Sequence, residues 1–336
     1  MLFSPKLAVI ITCYNYEAFV GRAIRSVLDQ ASKDHELIVI DDGSTDGSWD
    51  VITDSGVTAF KIDNRGQRAA CLFGLERTKA PFVLFLDADD ELKPGALSTI
   101  IGHLDPNVAK LQFPLTRIDA NSNVISGAYP PLEDFRSSGA LAGHVLKCGA
   151  YRTPPTSGNV FRRDVCEFLR EATYDRAVDG VILFIAPFLG DIVSLSEELG
   201  CYRIHGRNQS GLGRLPDIEF FERDIDRFLE RMQHLRAILR RIEPDKKLVD
   251  SCKTFYWLER KFSLDIASGR RPRLAAFLNL ILKLRDEPAS IRTKAAMAAF
   301  YGMTLLLASD RRKALLKFRY TTGPRTTADF IKQMIA

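Results

Sequence analysis

The stretch PFVLFLDADD at residues 81–90 joins an apolar run directly to an acidic cluster. Residues 82–86 are branched or aromatic, which predicts a buried strand. The acidic cluster then lies at the carboxyl end of that strand, where α/β sheets bind their ligands. Three carboxylates within four residues repel one another unless a cation or solvent compensates them, and hard oxygen ligands of this kind suit Mg²⁺ or Mn²⁺. A charged surface turn is the alternative interpretation.

The same succession of strand, polar loop and helix recurs upstream of this stretch. Residues 7–11 and 36–40 are predicted strands, and polar loops at residues 12–15 and 41–48 follow them. A third strand, at about residues 57–62, leads to the loop at 64–68. Four such units in about a hundred residues predict an α/β fold with a Rossmann-like, mostly parallel sheet flanked by helices and right-handed crossovers.

Later segments follow a different pattern. Residues 108–126 are predicted to form a strand, a turn at 121–123 and a short return strand. From about residue 214 the sequence changes to helices with Arg-rich faces. We therefore predict a first domain at residues 1–213 and a C-terminal, basic α-helical region at residues 214–336.

Four segments together resemble the family 2 glycosyltransferases of the GT-A fold. They are VIITCYN at 9–15, IVIDDGSTD at 38–46, NRG at 64–66 and LDADD at 86–90, in the family's order and spacing. The resemblance covers about residues 5–210 and is absent over the last third. It implies an inverting enzyme that moves a sugar from a nucleotide-sugar donor, with a UDP-sugar favoured. The expected acceptor is a hydroxyl of a glycan or lipid-linked molecule in cell-envelope polysaccharide synthesis.

The resemblance also implies which side chains bind the donor. Those expected around the nucleoside and ribose are Thr12, Tyr14, Asn15, Asp42 and Asp87. Asp42 would accept a hydrogen bond from the base, whereas Tyr14 is either a stacking partner or a packed loop aromatic. Relatives often carry an Arg-Asn pair where this chain has Cys71-Leu72. Arg65 or Arg68 is therefore expected to replace that contact.

Mn²⁺ or Mg²⁺ is the cofactor that the resemblance implies. Asp89 matches the family's main metal ligand, with Asp87 beside it, and the metal would bridge the donor phosphates. Asp90 either orients a ligand or caps the following turn. The resemblance also places His205 near the diphosphate, as a metal ligand or phosphate donor, with Arg203 adding positive charge there. Without that motif, a single histidine is usually a core or surface residue.

An inverting transfer needs a base that takes the proton of the acceptor hydroxyl. In the family this is an acidic residue at the start of a helix, and Asp179 fits because the apolar residues 181–189 follow it. Its alternative role is to cap that helix. Asp175 and Asp191 are the other candidate bases.

The C-terminal third is basic, with 25 Lys and Arg residues against 15 Asp and Glu residues in 216–336. An anionic partner is therefore expected. The apolar stretch at 295–308 is shorter than the ~20 residues of a membrane span. We expect a cytoplasmic protein, peripheral on the inner face of the membrane, with helical packing or oligomerisation as the alternative. No nucleic-acid-binding module accompanies the charge, so nucleic acid is not an expected partner.

The cysteine content of the chain bears on its cellular compartment. Six cysteines without a CxxC pair indicate reduced thiols rather than disulfides or a zinc site, and no secretory leader is expected.

The alternative function is a catalytically decayed, nucleotide-sugar-binding scaffold or regulator that acts through the basic tail. The replaced Arg-Asn pair favours this alternative, and the intact acidic cluster opposes it.

Overall fold

A computed structural model describes residues 4–174, 178, 180–206 and 217–320. Its strands are β1 Leu7–Cys13, β2 His35–Asp41, β3 Thr58–Lys61, β4 Phe82–Asp87, β5 Glu91–Leu92, β6 Val108–Gln112, β7 Leu115–Ile118, β8 Val124–Tyr129, β9 Phe135–Ser137, β10 Asn159–Arg162, β11 Asp191–Ser194 and β12 Gly200–Arg203. Its helices are α1 Val20–Leu28, α2 Ser48–Asp54, α3 Gln67–Arg77, α4 Ala96–Gly102, α5 Ala140–Cys148, α6 Arg163–Cys166, α7 Val181–Ile185, α8 Ile218–Ile242, α9 Phe255–Ala267, α10 Leu274–Leu284, α11 Ile291–Leu306 and α12 Ser309–Tyr320.

The larger sheet has eight strands in the order β3-β2-β1-β4-β10-β6-β11-β9. Strands β1 to β4 are parallel, β10 is antiparallel to β4 and β6, and β11 is parallel to β6. Every residue of β1 is buried, which explains why its sequence is a continuous apolar run. With helices flanking this sheet and further helices after it, the predicted α/β fold is confirmed.

A smaller sheet has the strand order β5-β12-β7-β8. The strand predicted to begin at residue 108 ends at Gln112, and the predicted hairpin is formed by β7 and β8 in this second sheet. Pro114 lies at the break and has no N–H to continue the ladder. In this sheet β12 pairs with β5, which directly follows the acidic cluster. The second sheet is therefore joined to the site that the sequence predicts.

The chain divides into two compact units, Met1–Ala142 with Arg152–Arg203 and Gly143–Tyr151 with Ile204–Ala336. The domain boundary predicted at residues 213 and 214 lies outside the described residues. The second unit contains α8 to α12, and the side chains of Asp217, Thr254 and Ser290 cap α8, α9 and α11. Within the described ranges, no helix is long and apolar enough to cross a membrane.

A buried carboxylate joins three helices of the second unit. Glu259 of α9 accepts hydrogen bonds from the Tyr301 hydroxyl of α11, at 3.1 Å, and the Ser263 hydroxyl, at 3.2 Å. It also pairs with Arg260 and, at 3.3 Å, with Arg319 of α12. Burial alone would raise the pKa of Glu259, but the two arginines and the hydrogen bonds lower it below the ordinary value.

We expect Glu259→Gln to lower the free energy of unfolding by about 3 kcal/mol at pH 7, because the half-buried Arg319 loses its carboxylate partner and Arg260 keeps only Asp224. The pKa is lower in the folded state, so this stabilisation is present above the ordinary value of 4.5 and is lost as the pH falls below it. Urea unfolding at pH 7 and in acid checks both statements. The exposed Glu222→Gln is the control, and equal stability of both variants at pH 7 would contradict the prediction.

Candidate active site

The acidic cluster lies at the carboxyl end of β4, as the sequence predicts. Asp87 ends the strand, and Asp89 and Asp90 occupy the turn into β5. One carboxylate oxygen from each of the three lies within 4.8 Å of the others. Asp89 is 8% exposed and Asp90 only 1%. In the part of the chain that the structure describes, this is the one group of three metal-ligating side chains that lie so close together.

The acidic cluster carries more negative charge than its surroundings neutralise. Burial, followed by the charges of Asp89 and Asp87, raises the pKa of Asp90 well above its ordinary value. A hydrogen bond from the Ser157 hydroxyl, at 2.6 Å, and one from the Arg203 backbone N–H, at 3.0 Å, act in the opposite direction. Clustered carboxylate oxygens are the ligand set that a hard divalent cation prefers, so the residues present fit Mg²⁺ or Mn²⁺.

Arg203 holds the acidic turn from within the protein. Its side chain is fully buried, and its Nε donates to the Asp89 carbonyl at 2.8 Å. Its Nη2 pairs with the Glu91 carboxylate, and its Nη1 donates to the Asp119 carbonyl at 2.9 Å. The guanidinium also lies 5.1 Å from the centre of the Phe19 ring. Arg203 therefore positions the turn, and its predicted direct contact with the donor stays a prediction.

Two further side chains orient Asp87. The Gln67 side-chain amide, at the start of α3, donates to one of its carboxylate oxygens. The backbone N–H of Asp87 donates to Ser157 Oγ at 3.1 Å, while the same hydroxyl donates to Asp90. Ser157 belongs to a short 3₁₀ turn, Thr156–Gly158, directly before β10. The small-residue segment before β10 thus contacts two of the three acids.

The predicted nucleoside residues lie on the neighbouring loops. Thr12 is nearly buried and is in register with Asp87 across β1 and β4, and Tyr14 is 43% exposed. Asn15 adopts a positive φ of 60°, and its Oδ1 accepts from the Thr45 N–H at 2.8 Å. Asp42 accepts from the backbone N–H groups of residues 65 and 66, at 2.9 and 2.8 Å. Asn15 and Asp42 therefore organise these loops, and contact with a donor stays a prediction for all four.

The replaced Arg-Asn pair lies on α3. Cys71 is fully buried, and burial raises the pKa of its thiol well above the ordinary value. Arg68, one turn earlier, donates from Nη1 to the Leu169 carbonyl at 3.0 Å. This bond gives Arg68 a structural partner, and its proposed substitution for the missing donor contact stays a prediction.

Tyr16 is a site residue that the sequence analysis missed. Burial, followed by the charges of Asp89, Asp87 and Asp90, raises the pKa of its phenol above the ordinary value. The phenol therefore remains protonated at neutral pH beside the acidic cluster and can donate a hydrogen bond. Tyr16 lies two residues after Tyr14, in the loop between β1 and α1, so its position in a polar loop after a strand was an available signal.

Lys110 is a second residue that the sequence did not identify. It is fully buried in β6, and burial lowers the pKa of its amine well below the ordinary value. Its Nζ donates to Gln112 Oε1 at 2.8 Å and to Thr153 Oγ1 at 2.7 Å, and Thr153 donates to Asn159 Oδ1. This polar network fixes both ends of the segment that contains Ser157. The sequence of β6 alone does not distinguish a buried lysine from a solvated one.

Of the candidate bases and His205, the structure places only Asp191 relative to the acidic cluster. Asp179 and Asp175 lie outside the described residues. Asp191 begins β11, whose other end is at Ser194, so it lies at the edge of the sheet opposite the acidic cluster. There it pairs with Arg136 at 2.6 Å, which makes it a poor candidate. His205 follows β12 and belongs to the second unit, and its ligand role stays a prediction.

We expect Arg203→Leu to lower the free energy of unfolding by at least about 2 kcal/mol, because Glu91 and the carbonyls of residues 89, 119 and 120 lose their buried partner. Arg203→Lys should recover only part of that loss, since an ammonium cannot reproduce the planar set of donors. Urea unfolding measures both effects. A matched replacement of the exposed Arg25 by Leu is the control, and equal stability of the Arg203 and Arg25 variants would contradict a positioning role.

Parts of this sequence are similar to those of known proteins. The family profile described as "Glycosyl transferase family 2" matches residues 8–165. An uncharacterized glycosyltransferase of Nostoc sp. is 39% identical over 215 residues, which is 60% of this chain and 66% of that protein. A GalNAc(5)-diNAcBac-PP-undecaprenol beta-1,3-glucosyltransferase of Campylobacter jejuni is 38% identical over 104 residues, 29% of this chain and 34% of the relative. The chain thus spans just under two thirds of the first relative and about a third of the second.

The fold is also similar to that of solved structures. TarS 1-349 of S. aureus aligns with 94% of this chain and 91% of its own, with a TM-score of 0.52 and 15% identity. At that identity the likeness concerns the fold alone. The fold agrees with the family profile, and residues 8–165 of this chain are a family 2 glycosyltransferase domain.

Proposed function

We propose that this protein transfers a sugar, with inversion, from a nucleotide-sugar donor to a hydroxyl of a glycan or lipid-linked acceptor of the cell envelope. The observation that carries the proposal is the convergence of Asp87, Asp89 and Asp90 at the carboxyl end of β4 within the family 2 domain. Such a cluster serves a reaction in which charge grows on a departing diphosphate.

The donor is proposed to bind across the loops that follow β1, β2 and β3. Thr12 and the exposed Tyr14 line the nucleoside side, and the Asp42 carboxylate accepts from the base while it holds the loop at residues 65 and 66. These loops are fixed by hydrogen bonds before any ligand arrives, which reduces the ordering cost of binding. A UDP-sugar is favoured, in line with the fold likeness to TarS, which has been solved with UDP-GlcNAc.

The acidic turn is proposed to receive the diphosphate end of the donor. Asp89 and Asp87 would hold Mn²⁺ or Mg²⁺, which supplies Lewis-acid stabilisation of the leaving diphosphate when it is bound. Gln67 and Ser157 keep Asp87 oriented, and Arg203 keeps the turn in place. The Tyr16 phenol is a hydrogen-bond donor on the same side. These contacts hold the acids in one geometry, so little reorganisation accompanies the transfer.

The acceptor and the base complete the proposal. Asp179 would take the proton of the acceptor hydroxyl as that oxygen attacks the anomeric carbon. A lipid-linked acceptor is supported by the Campylobacter jejuni relative, whose name specifies an undecaprenol-linked substrate. The lipid of such an acceptor is held in a membrane, so the enzyme is proposed to act as a peripheral protein on the inner face of that membrane.

A binding panel tests this function. Isothermal titration of UDP-, GDP- and dTDP-sugars, with and without Mn²⁺, is expected to select one nucleotide in the presence of the metal. Asp89→Asn should weaken metal-dependent binding by at least about tenfold, because it removes a charged ligand.

Asp54→Asn is the matched control. Asp54 is an exposed carboxylate at the carboxyl end of α2, and helices that follow parallel strands end at the opposite edge of the sheet from the acidic cluster. Its variant should bind like the wild type. Binding of no donor by protein shown to be folded would contradict the transferase and favour the scaffold alternative, whereas equal binding by the Asp89 variant would contradict the metal site.

A further inference from the structure

One helix of the second unit exposes a row of leucines. Leu274, Leu278 and Leu282 of α10 are 63%, 52% and 57% exposed. They are spaced four residues apart, so they lie along one side of the helix. We name this row the leucine face. No other helix in the described part of the chain exposes more than two large apolar side chains.

The opposite side of α10 is packed in the core of the second unit. Leu280 and Leu284 are buried, and Phe277 packs against the same core cluster. The helix is therefore held by one apolar side while the leucine face remains in solvent. Exposing three leucines costs free energy in water, and a contiguous apolar row of this kind typically marks a contact surface.

The sequence around α10 carries an excess of basic residues, of which Arg270 and Lys283 are paired with Asp265 and Asp286. Residues 270–294 carry seven basic side chains and only two acidic ones; the basic residues are Arg270, Arg271, Arg273, Lys283, Arg285, Arg292 and Lys294. Arg273 precedes α10, and Arg285 follows it with helical φ and ψ of −62° and −36°. Arg285 is eleven residues after Leu274, which brings it to the same side of the helix. An exposed cation thus lies at each end of α10, and Arg285 lies on the side of the leucine face.

The apolar stretch at 295–308, for which the sequence predicts membrane contact, packs its larger middle residues against the core of the second unit. Tyr301 of α11 is fully buried, and Met297 and Phe300 pack against the core of the unit. The exposed positions near the middle of α11 are small, at Ala295, Ala296 and Ala299. Leu306, 83% exposed, lies alone at the end of α11, whereas α10 presents three exposed leucines along one side.

We propose that the leucine face of α10 is a membrane-contact surface that inserts its side chains among the headgroups of an anionic bilayer. A row of leucines with flanking cations is the pattern of interfacial helices, in which apolar insertion and attraction to anionic lipid act together. A protein partner fits less well, because stable protein interfaces are broader and have aromatic-rich centres. The proposal concerns lipid binding alone and does not depend on the transfer reaction.

Vesicle co-sedimentation without any nucleotide sugar tests the proposal. The full chain should bind vesicles of phosphatidylglycerol and phosphatidylcholine, and bind pure phosphatidylcholine far more weakly. Leu278→Glu with Leu282→Glu should weaken binding to anionic vesicles by at least about tenfold. Arg273→Ala with Arg285→Ala should weaken it by about twenty-fivefold, because each cation near an anionic surface contributes about fivefold.

Leu28→Glu is the matched control, since Leu28 is a 50% exposed leucine on α1 of the first unit. It should leave vesicle binding unchanged, and all variants should melt like the wild type because the replaced side chains are exposed. No binding of the wild type to anionic vesicles would overturn the proposal, as would undiminished binding by the leucine variant. Self-association that the leucine variant abolishes, in the absence of vesicle binding, would instead assign this face to a second copy of the chain.

Discussion

The buried guanidinium of Arg203 is the constraint on which the acidic turn depends. Carboxylates placed side by side repel one another, and burial adds to that cost. Arg203 offsets part of it by binding the Asp89 carbonyl and pairing with Glu91, while its backbone N–H donates to Asp90. Because the guanidinium is fully buried, its position is set by packing rather than by solvent. A divalent cation would neutralise the negative charge that remains on the acidic cluster.

The rest of the first unit supports this arrangement from several directions. The smaller sheet carries Arg203 on β12 and pairs that strand with β5 immediately after the acids. The segment before β10 contributes Ser157, which contacts Asp87 and Asp90, and Lys110 anchors that segment from β6. Acids on a single turn are thus fixed by three separate parts of the chain. Such preorganisation is what electrostatic stabilisation of a departing charge requires.

Features that depend on neighbouring residues could be predicted from the sequence, whereas features that depend on residues far apart in sequence could not. Strands β1, β2 and β4 were predictable because buried parallel strands are continuous apolar runs, and the acids follow β4 directly. The division of residues 108–126 between two sheets was not, because strand pairing depends on distant partners. The positioning role of Arg203 was missed for the same reason: it lies 114 residues from Asp89 in sequence. Tyr16 was overlooked although its loop was recognised, because its neighbours become apparent only in three dimensions.

The second unit follows a different principle. Its helices are joined by the buried Glu259 and its arginines, and one apolar side of α10 remains exposed beside excess positive charge. Removing one partner of such a buried ion pair is costly, because the remaining charge is left uncompensated. An exposed leucine row, by contrast, is retained at a cost and therefore indicates a contact. The first unit thus carries a preorganised acidic turn, and the second carries an exposed row of leucines.

The most direct test of the central claim is anomalous diffraction from crystals grown with Mn²⁺ and the nucleotide that the binding panel selects. A manganese peak is expected within about 2.5 Å of carboxylate oxygens of Asp89 or Asp87, with the diphosphate on its other side. A bound nucleotide with no peak at the acidic turn, or a peak held by other residues, would contradict it.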